Sequence, residues 1–251
     1  MDNNSKEREA FMRLHAGLPR QGPGSDVCTA ETLGRLPALP ADAKIFDLGC
    51  GPGRASLVLA YMLKQKIVCV DKEESFLEQL RETAKQRKLD QYIETRCGDM
   101  ATVEADLGSI DLIWSEGAIY CVGFDRALES WRPLLSKTGM VACTELSWFS
   151  DERAPEAVAF WKKHYPEMRS VAENLEAVEW PGYTCIEHFT IPDSCWWSEY
   201  YDPLEKNIEK LKADAGSDED LKTAIANAEE EIDIYRKFGE QYGYEFYLLQ
   251  K

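Results

Sequence analysis

The run "IFDLGCGPGR", residues 45–54, sets glycines at 49, 51 and 53 directly behind a short apolar stretch. Glycine adopts positive φ freely and leaves room for another group where a Cβ would intrude. A glycine-rich turn after a buried strand therefore faces a ligand. The spacing is not that of a dinucleotide turn, because Arg54 stands where G-x-G-x-x-G needs its third glycine. No phosphate-loop lysine follows either. Two acids extend the pattern. Asp71 closes "KIVCVD", about twenty residues on, where a carboxylate can accept from ribose hydroxyls. Asp99, in "CGDM", can hold an exocyclic amine while Met100 covers a purine ring. Either acid alone reads as a solvated strand end. With the glycine turn they describe a nucleoside site.

Further residues are able to do chemistry at the same edge. Glu145 ends "GMVACTEL" and could orient an amine or accept a proton; a solvated strand-end acid is the equal alternative. His15 opens "HAGLPRQGPGSD" and is a candidate base. His164 and His188 lie outside every motif and read as structural. In the same opening stretch, Gly17, Gly22 and Gly24 could act as hinges and Pro19 and Pro23 as stiff links. The segment then reads as a lid, with Arg20 and Gln21 reaching a cofactor carboxylate, or else as a mobile tether. Trp148, Phe149, Trp196, Trp197, Tyr200 and Tyr201 cluster after two strands. They could wall a pocket for a cationic amine, but aromatic pairs more often pack, and a hydrophobic seam is expected.

The elements that must position these residues are legible from periodicity. Strand-like runs end near Cys50, Asp71, Asp99, Glu116 and Leu146. Helical patterns such as "GRASLVLAYMLK" and "ESFLEQLRETAKQRK" separate the first of them. This alternation predicts a parallel sheet with helices on both faces. Pro133 is expected to kink a helix, and Gly139 to close the turn behind it. A helical insertion is expected over 147–182, a strand over Tyr183–Pro192, and a helical excursion over 194–240, with Ser217 and Asp220 at capping-box spacing. "YEFYLLQK" reads as a final strand. Residues 1–40 form a separate helical segment carrying the lid, and 41–251 the main domain.

Composition narrows the partners. The formal net charge of −16 with no basic stripe argues against nucleic acid, whose binding is driven by phosphate neutralisation. No apolar run is long enough to span a membrane, and the charged N-terminus has no signal-peptide core. The eight cysteines are scattered without a C-x-x-C pair, which predicts reduced, mostly buried thiols, a cytoplasmic location and no metal site.

Taken together, "DLGCGPGR", the acid of "VCVDKEESFLEQL", "CGDM" and "IDLIWSEGAIY" resemble a class I S-adenosylmethionine-dependent methyltransferase over about Lys44 to Leu146. The resemblance implies a Rossmann-like α/β fold: a doubly wound, mainly parallel seven-stranded sheet with a reversed last strand and helical insertions. It assigns Asp47, Gly49, Gly51 and Gly53 to the methionyl part of S-adenosylmethionine, Asp71 and Lys72 to the ribose, and Asp99 and Met100 to the adenine. Ser115, Glu116 and Gly117 would sit beside the methyl donor. The implied activity is direct in-line transfer to a small-molecule acceptor. Modification of a protein acceptor, a non-catalytic S-adenosylmethionine-binding protein and an NAD oxidoreductase are the alternatives, the last opposed by Arg54.

Overall fold

The computed structural model describes residues 3–251; residues 1 and 2 of the N-terminal segment lie outside the described residues. Helices α1 (Asn3–Leu14) and α2 (Asp26–Arg35) precede the sheet. The strands are β1 (Ile45–Leu48), β2 (Ile67–Asp71), β3 (Ile93–Cys97), β4 (Ile110–Ser115), β5 (Leu135–Trp148), β6 (Arg169–Ser170), β7 (Thr184–Thr190) and β8 (Tyr242–Gln250). Their order is β3-β2-β1-β4-β5-β8-β7, with the two-residue β6 added parallel to β5. β8 enters antiparallel between β5 and β7. This is the mainly parallel sheet with a reversed last strand expected above, plus a short eighth strand that two residues could not announce.

Parallel strands are apolar on both sides, and the pleat sends alternate residues to opposite cores. Leu112, Trp114, Met140 and Phe246 enter one apolar cluster. Ile113, Val141, Tyr247 and Leu249 enter the other. Helices α3 (Arg54–Leu63), α4 (Glu74–Gln86) and α5 (Phe124–Trp131) carry the crossovers. After β5 come α6 (Pro155–His164) and α7 (Val171–Glu179), the latter closed by a capping box between Ser170 and Glu173. After β7, α8 (Ser194–Trp196), a π-helical turn at Trp197–Tyr201, α9 (Asp202–Asp214) and α10 (Glu219–Phe238) form a cap against which α1 packs.

Three local expectations are corrected. Pro133 does end the α-helical geometry, with a 3₁₀ turn over Arg132–Leu134, but Gly139 lies inside β5 rather than in a turn. A Cβ there would meet the Ile110 carbonyl oxygen at 2.7 Å, so this glycine serves close strand packing. The last long helix is capped by Asp218, whose carboxylate accepts from Leu221 N–H at 3.1 Å, rather than by Ser217. The final strand starts at Tyr242, two residues early.

All eight cysteines are free. The aromatic cluster is chiefly a seam: Trp196 stacks on Tyr235 at 4.2 Å between centroids, and Trp148 meets Tyr242 edge-on at 5.6 Å.

Gly53 shows how tightly the first crossover is built. Its φ is +79°, and a Cβ would lie 2.2 Å from Leu80 Cδ1 of α4. Gly53→Ala is expected to cost about 3 kcal/mol through overpacking and left-handed strain. Because Leu80 is the obstacle, the loss should shrink by about 1 kcal/mol in a Leu80→Ala background. Denaturant unfolding of the double-mutant cycle checks this; strict additivity would show that backbone strain alone sets the cost.

Candidate active site

The chain leaves β1 through a turn in which Gly49, Gly51 and Gly53 all have positive φ, at +74°, +52° and +79°. Gly49 N–H and Cys50 N–H both donate to the Val70 carbonyl, at 2.9 and 3.1 Å, which ties the turn to β2. A Cβ on Gly49 would lie 2.4 Å from Ala118 Cβ and 3.1 Å from Met100 Sδ. Around Gly51 the space is open, the nearest atom to a built Cβ being Gln21 Cγ at 3.9 Å. Gly49 is thus required for packing, and Gly51 for access.

Asp71, at the end of β2, holds this turn from the other side. Its Oδ2 accepts from Gly51 N–H at 2.8 Å and its Oδ1 from Glu73 N–H at 2.9 Å. Burial pushes its pKa up, against the opposing pull of the Gly51 and Lys72 backbone groups. The carboxylate is therefore aimed by two backbone groups and keeps lone pairs for hydroxyl donors. Asp99 follows β3, accepting from Ala101 N–H at 2.8 Å and pairing with Lys72 Nζ at 3.0 Å. The Ala101 bond, then Lys72, hold its pKa low. Lys72 thus faces Asp99. Met100 is buried beneath Gly49, and its carbonyl accepts from Trp131 Nε1 at 2.7 Å.

Asp47 is buried beneath the turn, where Ser56 Oγ donates to its Oδ2 at 2.5 Å. Burial raises its pKa to about 7, with Ser56 opposing and the charges of Glu116 and Asp71 adding. Glu116, just past β4, is saturated. Its Oε1 accepts from Thr29 Oγ1 at 2.7 Å and Trp114 Nε1 at 2.8 Å, and its Oε2 from Arg20 at 3.1 Å. Gly117 N–H donates to Thr144 Oγ1 at 2.7 Å, linking β4 to β5 at the mouth.

The N-terminal stretch lies over this edge. Arg20, Gln21, Asp47, Gly49, Gly51 and Glu116 line one pocket with an empty volume of about 500 Å³. The Arg20 guanidinium is buried and donates to Glu116, to Asp26 at 3.2 Å, to Glu199 at 3.4 Å and to Thr29 at 3.2 Å. Its role in this geometry is to pin the segment to α2, the π-helical turn and the end of β4. Gln21 differs: its Oε1 is buried beside Gly51 without a hydrogen-bond partner. Asn207 Nδ2 holds the segment's base by donating to the carbonyls of Leu14 and Ala16, each at 3.0 Å.

Gly53, Asp71, Lys72, Asp99 and Met100 lie outside that lining, and Ser115, His15 and Glu145 also stand apart from it. Ser115 is fully buried and its hydroxyl donates to the Leu48 carbonyl at 2.8 Å, so it clasps β4 to β1. His15 is buried between Phe11 and Tyr200, with Nδ1 3.0 Å from the Phe11 carbonyl and Nε2 3.3 Å from Tyr200 Oη. Burial lowers its pKa, and it lines a second cleft, between α1, α6 and α10. Glu145 is 2% exposed. Tyr165 Oη donates to its Oε1 at 2.7 Å, and its Oε2 is buried and unpartnered. Burial lifts its pKa to about 8, against the Tyr165 bond, the Arg169 charge and the Leu146 backbone, and with help from Asp125.

Sequence reasoning missed Thr29, Thr144, Tyr120, Tyr165 and Tyr244. Only Trp114 carried a usable signal, since it shares a strand face with Glu116 at two-residue spacing.

The comparisons agree with this geometry. Residues 45–139 match the family model described as a methyltransferase domain. Trans-aconitate 2-methyltransferase of Variovorax paradoxus (strain S110) is 34% identical over 93 residues, 37% of this chain and 33% of that protein. The chain thus spans about a third of that relative's length. Among solved structures, YjhP from E. coli superposes with a TM-score of 0.82 at 19% identity, covering 96% of this chain and 98% of that one. A SAM-dependent methyltransferase from Thiobacillus denitrificans, in complex with S-adenosyl-L-homocysteine, gives 0.79 at 20% identity over 95% and 96% of the two chains. Residues 45–139 thus match a methyltransferase domain, and the chain as a whole shares the Rossmann-like fold of these structures.

Two expectations follow from the side chains. Arg20→Ala should loosen the pinned segment, raising subtilisin cleavage within 15–25 about tenfold without lowering the global unfolding midpoint in proportion; an unchanged rate would show that Arg20 does not hold it. Glu145 has a folded-state pKa above its unfolded value, so its contribution to stability is full below the unfolded pKa of 4.5 and is lost as pH rises through about 8. Glu145→Gln should match the native chain near pH 4.5 and exceed it above pH 8, by ~2 kcal/mol or a Tm gap of roughly 4–8 °C. Thermal unfolding across that range checks the sign.

Proposed function

We propose that this chain transfers the methyl group of S-adenosylmethionine to a small-molecule acceptor. The observation that carries the reading is the open turn at Gly51, gripped by Asp71 on one side and faced by the unpartnered Gln21 Oε1 on the other. A buried polar atom without a partner costs about 1–3 kcal/mol, and a ligand that supplies the missing donor recovers it. The donor set suits this cofactor. Asp71 has acceptor capacity for ribose hydroxyls, Asp99 with Met100 for an adenine, and Asp47 with Gln21 for the ammonium of an amino acid.

When bound, S-adenosylmethionine supplies an electrophilic methyl on a positively charged sulfur. The chain then has three tasks: to hold the acceptor in line, to exclude water, and to receive any proton that the acceptor must lose. The Arg20-pinned segment serves the second. Glu145 can serve the third; His15, committed to Phe11 and Tyr200, reads as support for the cap.

A covered pocket favours a small acceptor over an extended protein segment. The relative named for trans-aconitate also acts on a small molecule. The net charge of −16 disfavours a nucleic-acid acceptor. No helix among the described residues is long and apolar enough to cross a membrane.

Calorimetry with S-adenosylmethionine, S-adenosylhomocysteine and NAD tests the reading. Both adenosyl compounds should bind, and Asp71→Asn should weaken them about tenfold, ~1.4 kcal/mol, with the far-UV spectrum unchanged. Binding of NAD alone, or of none of the three, would overturn it.

A further inference from the structure

Beside the cofactor pocket lies a group of side chains that the proposed reading leaves unexplained. Tyr244 forms the shared wall: its hydroxyl is 3.8 Å from a Cβ built on Gly117 and 4.0 Å from one built on Gly22, and both glycines line the cofactor pocket. Behind it, the hydroxyls of Tyr120, Tyr200 and Tyr244 and the carboxyls of Glu145 and Glu231 lie close enough to feel one another's charge. Tyr165 joins them, with its ring edge-on to Tyr120 at 6.2 Å and its hydroxyl on Glu145. From the other side, a cleft of about 1010 Å³ runs down to His15, Tyr200 and Glu231.

Tyr120 lies at the open edge of this group, with 44% of its surface exposed. Tyr200 sits in the π-helical turn at Trp197–Tyr201, a distortion that often marks a working site.

The chemistry of the group is one-sided. Glu145 takes the Tyr165 hydroxyl and Tyr165 meets Tyr120 edge-on, and the described arginines and lysines that cap aromatic rings sit on other rings, such as Phe189, Tyr61 and Trp197. Arg169 bears on Glu145, and both of its terminal nitrogens are engaged by Asp125, at 2.6 and 3.1 Å. Glu231 is partly buried and accepts from Tyr201 Oη at 2.9 Å. Glu145 Oε2, on a side chain 2% exposed, has no partner at all. A buried carboxyl with an unfilled acceptor and tyrosines nearby suits a cationic donor such as an alkylammonium.

Resting on the methyl-transfer reading above, we propose that the acceptor is an amine, bound as a cation by the faces of Tyr120, Tyr165, Tyr200 and Tyr244 and by the Glu145 carboxylate. An ammonium has no lone pair, so the bound group first gives one proton to Glu145 in its ionised form, which dominates above its raised pKa of about 8. The freed nitrogen pair then forms the new C–N bond as the C–S bond breaks, with the bonding pair passing to sulfur. The nitrogen ends positively charged and the sulfur neutral. The product, a methylated ammonium, is held by the same faces, which supports successive methylation. An anionic acceptor, a carboxylate or phosphate without an amine, would meet two acids.

The test separates this inference from the reading beneath it. Tetramethylammonium, a fixed cation that cannot be methylated, is titrated calorimetrically into the native chain without cofactor, in parallel with S-adenosylhomocysteine. It should bind, and Glu145→Gln and Tyr120→Ala should each weaken it about tenfold while leaving S-adenosylhomocysteine affinity unchanged. With S-adenosylmethionine, a panel of primary, secondary and tertiary alkylamines should gain 14 mass units on nitrogen, and the matched carboxylates should not. If S-adenosylhomocysteine binds but tetramethylammonium does not, or if only carboxylates are methylated, the amine inference falls and methyl transfer stands. If S-adenosylhomocysteine fails to bind, both fall.

Discussion

The site depends on a backbone reversal that only glycine can make. At the end of β1 the chain must turn into α3 with positive φ at 49, 51 and 53, while Ala118, Met100 and Leu80 press against it. Side chains at 49 or 53 would collide with those neighbours, and one at 51 would fill the space the turn leaves open. The Gly51 N–H to Asp71 bond then locks β1 and β2 into one ligand-facing surface. β1 lies between β2 and β4, where successive crossovers run in opposite directions along the sheet. That is the crevice in which open α/β sheets hold their ligands.

Around this turn the protein buries more acid than it needs for packing. Asp47, Glu116, Glu145 and Glu245 are all close to fully buried, and each is handled differently. Glu116 is neutralised by Arg20 and two neutral donors. Glu245 accepts from Thr190 Oγ1 and lies 2.6 Å from His188 Nδ1, which explains why that histidine belongs to the sheet and not to the site. Asp47 and Glu145 are left with raised pKa values because burial exceeds what their partners return. Unbalanced buried charge of this kind is costly to folding, and it concentrates where a ligand can supply the missing counter-charge.

The N-terminal segment shows how far a polar side chain's partners lie from what its own stretch of sequence records. Arg20 and Gln21 line the pocket at Gly49 and Gly51. The guanidinium, however, is spent on three acids, Glu116, Asp26 and Glu199, and on the Thr29 hydroxyl. Ser115 similarly lies beside the right strand end, but the pleat turns it inward to the Leu48 carbonyl. Placement along a strand was legible; the face on which a polar side chain would find its partner was not.

What the sequence determined by itself was local and periodic. The apolar runs, their two-residue and 3.6-residue rhythms and the glycine turn were enough for the mainly parallel sheet, its order of elements and the acids at the ends of β2 and β3. Each of these follows from steric limits and burial acting within some ten residues. The tertiary structure alone decided which distant groups meet: Thr29 and Arg20 on Glu116, and Tyr165 on Glu145. Those contacts join residues up to 96 positions apart, Arg20 to Glu116, and come from segments closing over the sheet edge. No periodicity records them, because the chain between such partners is free to vary as long as the cap buries its apolar face.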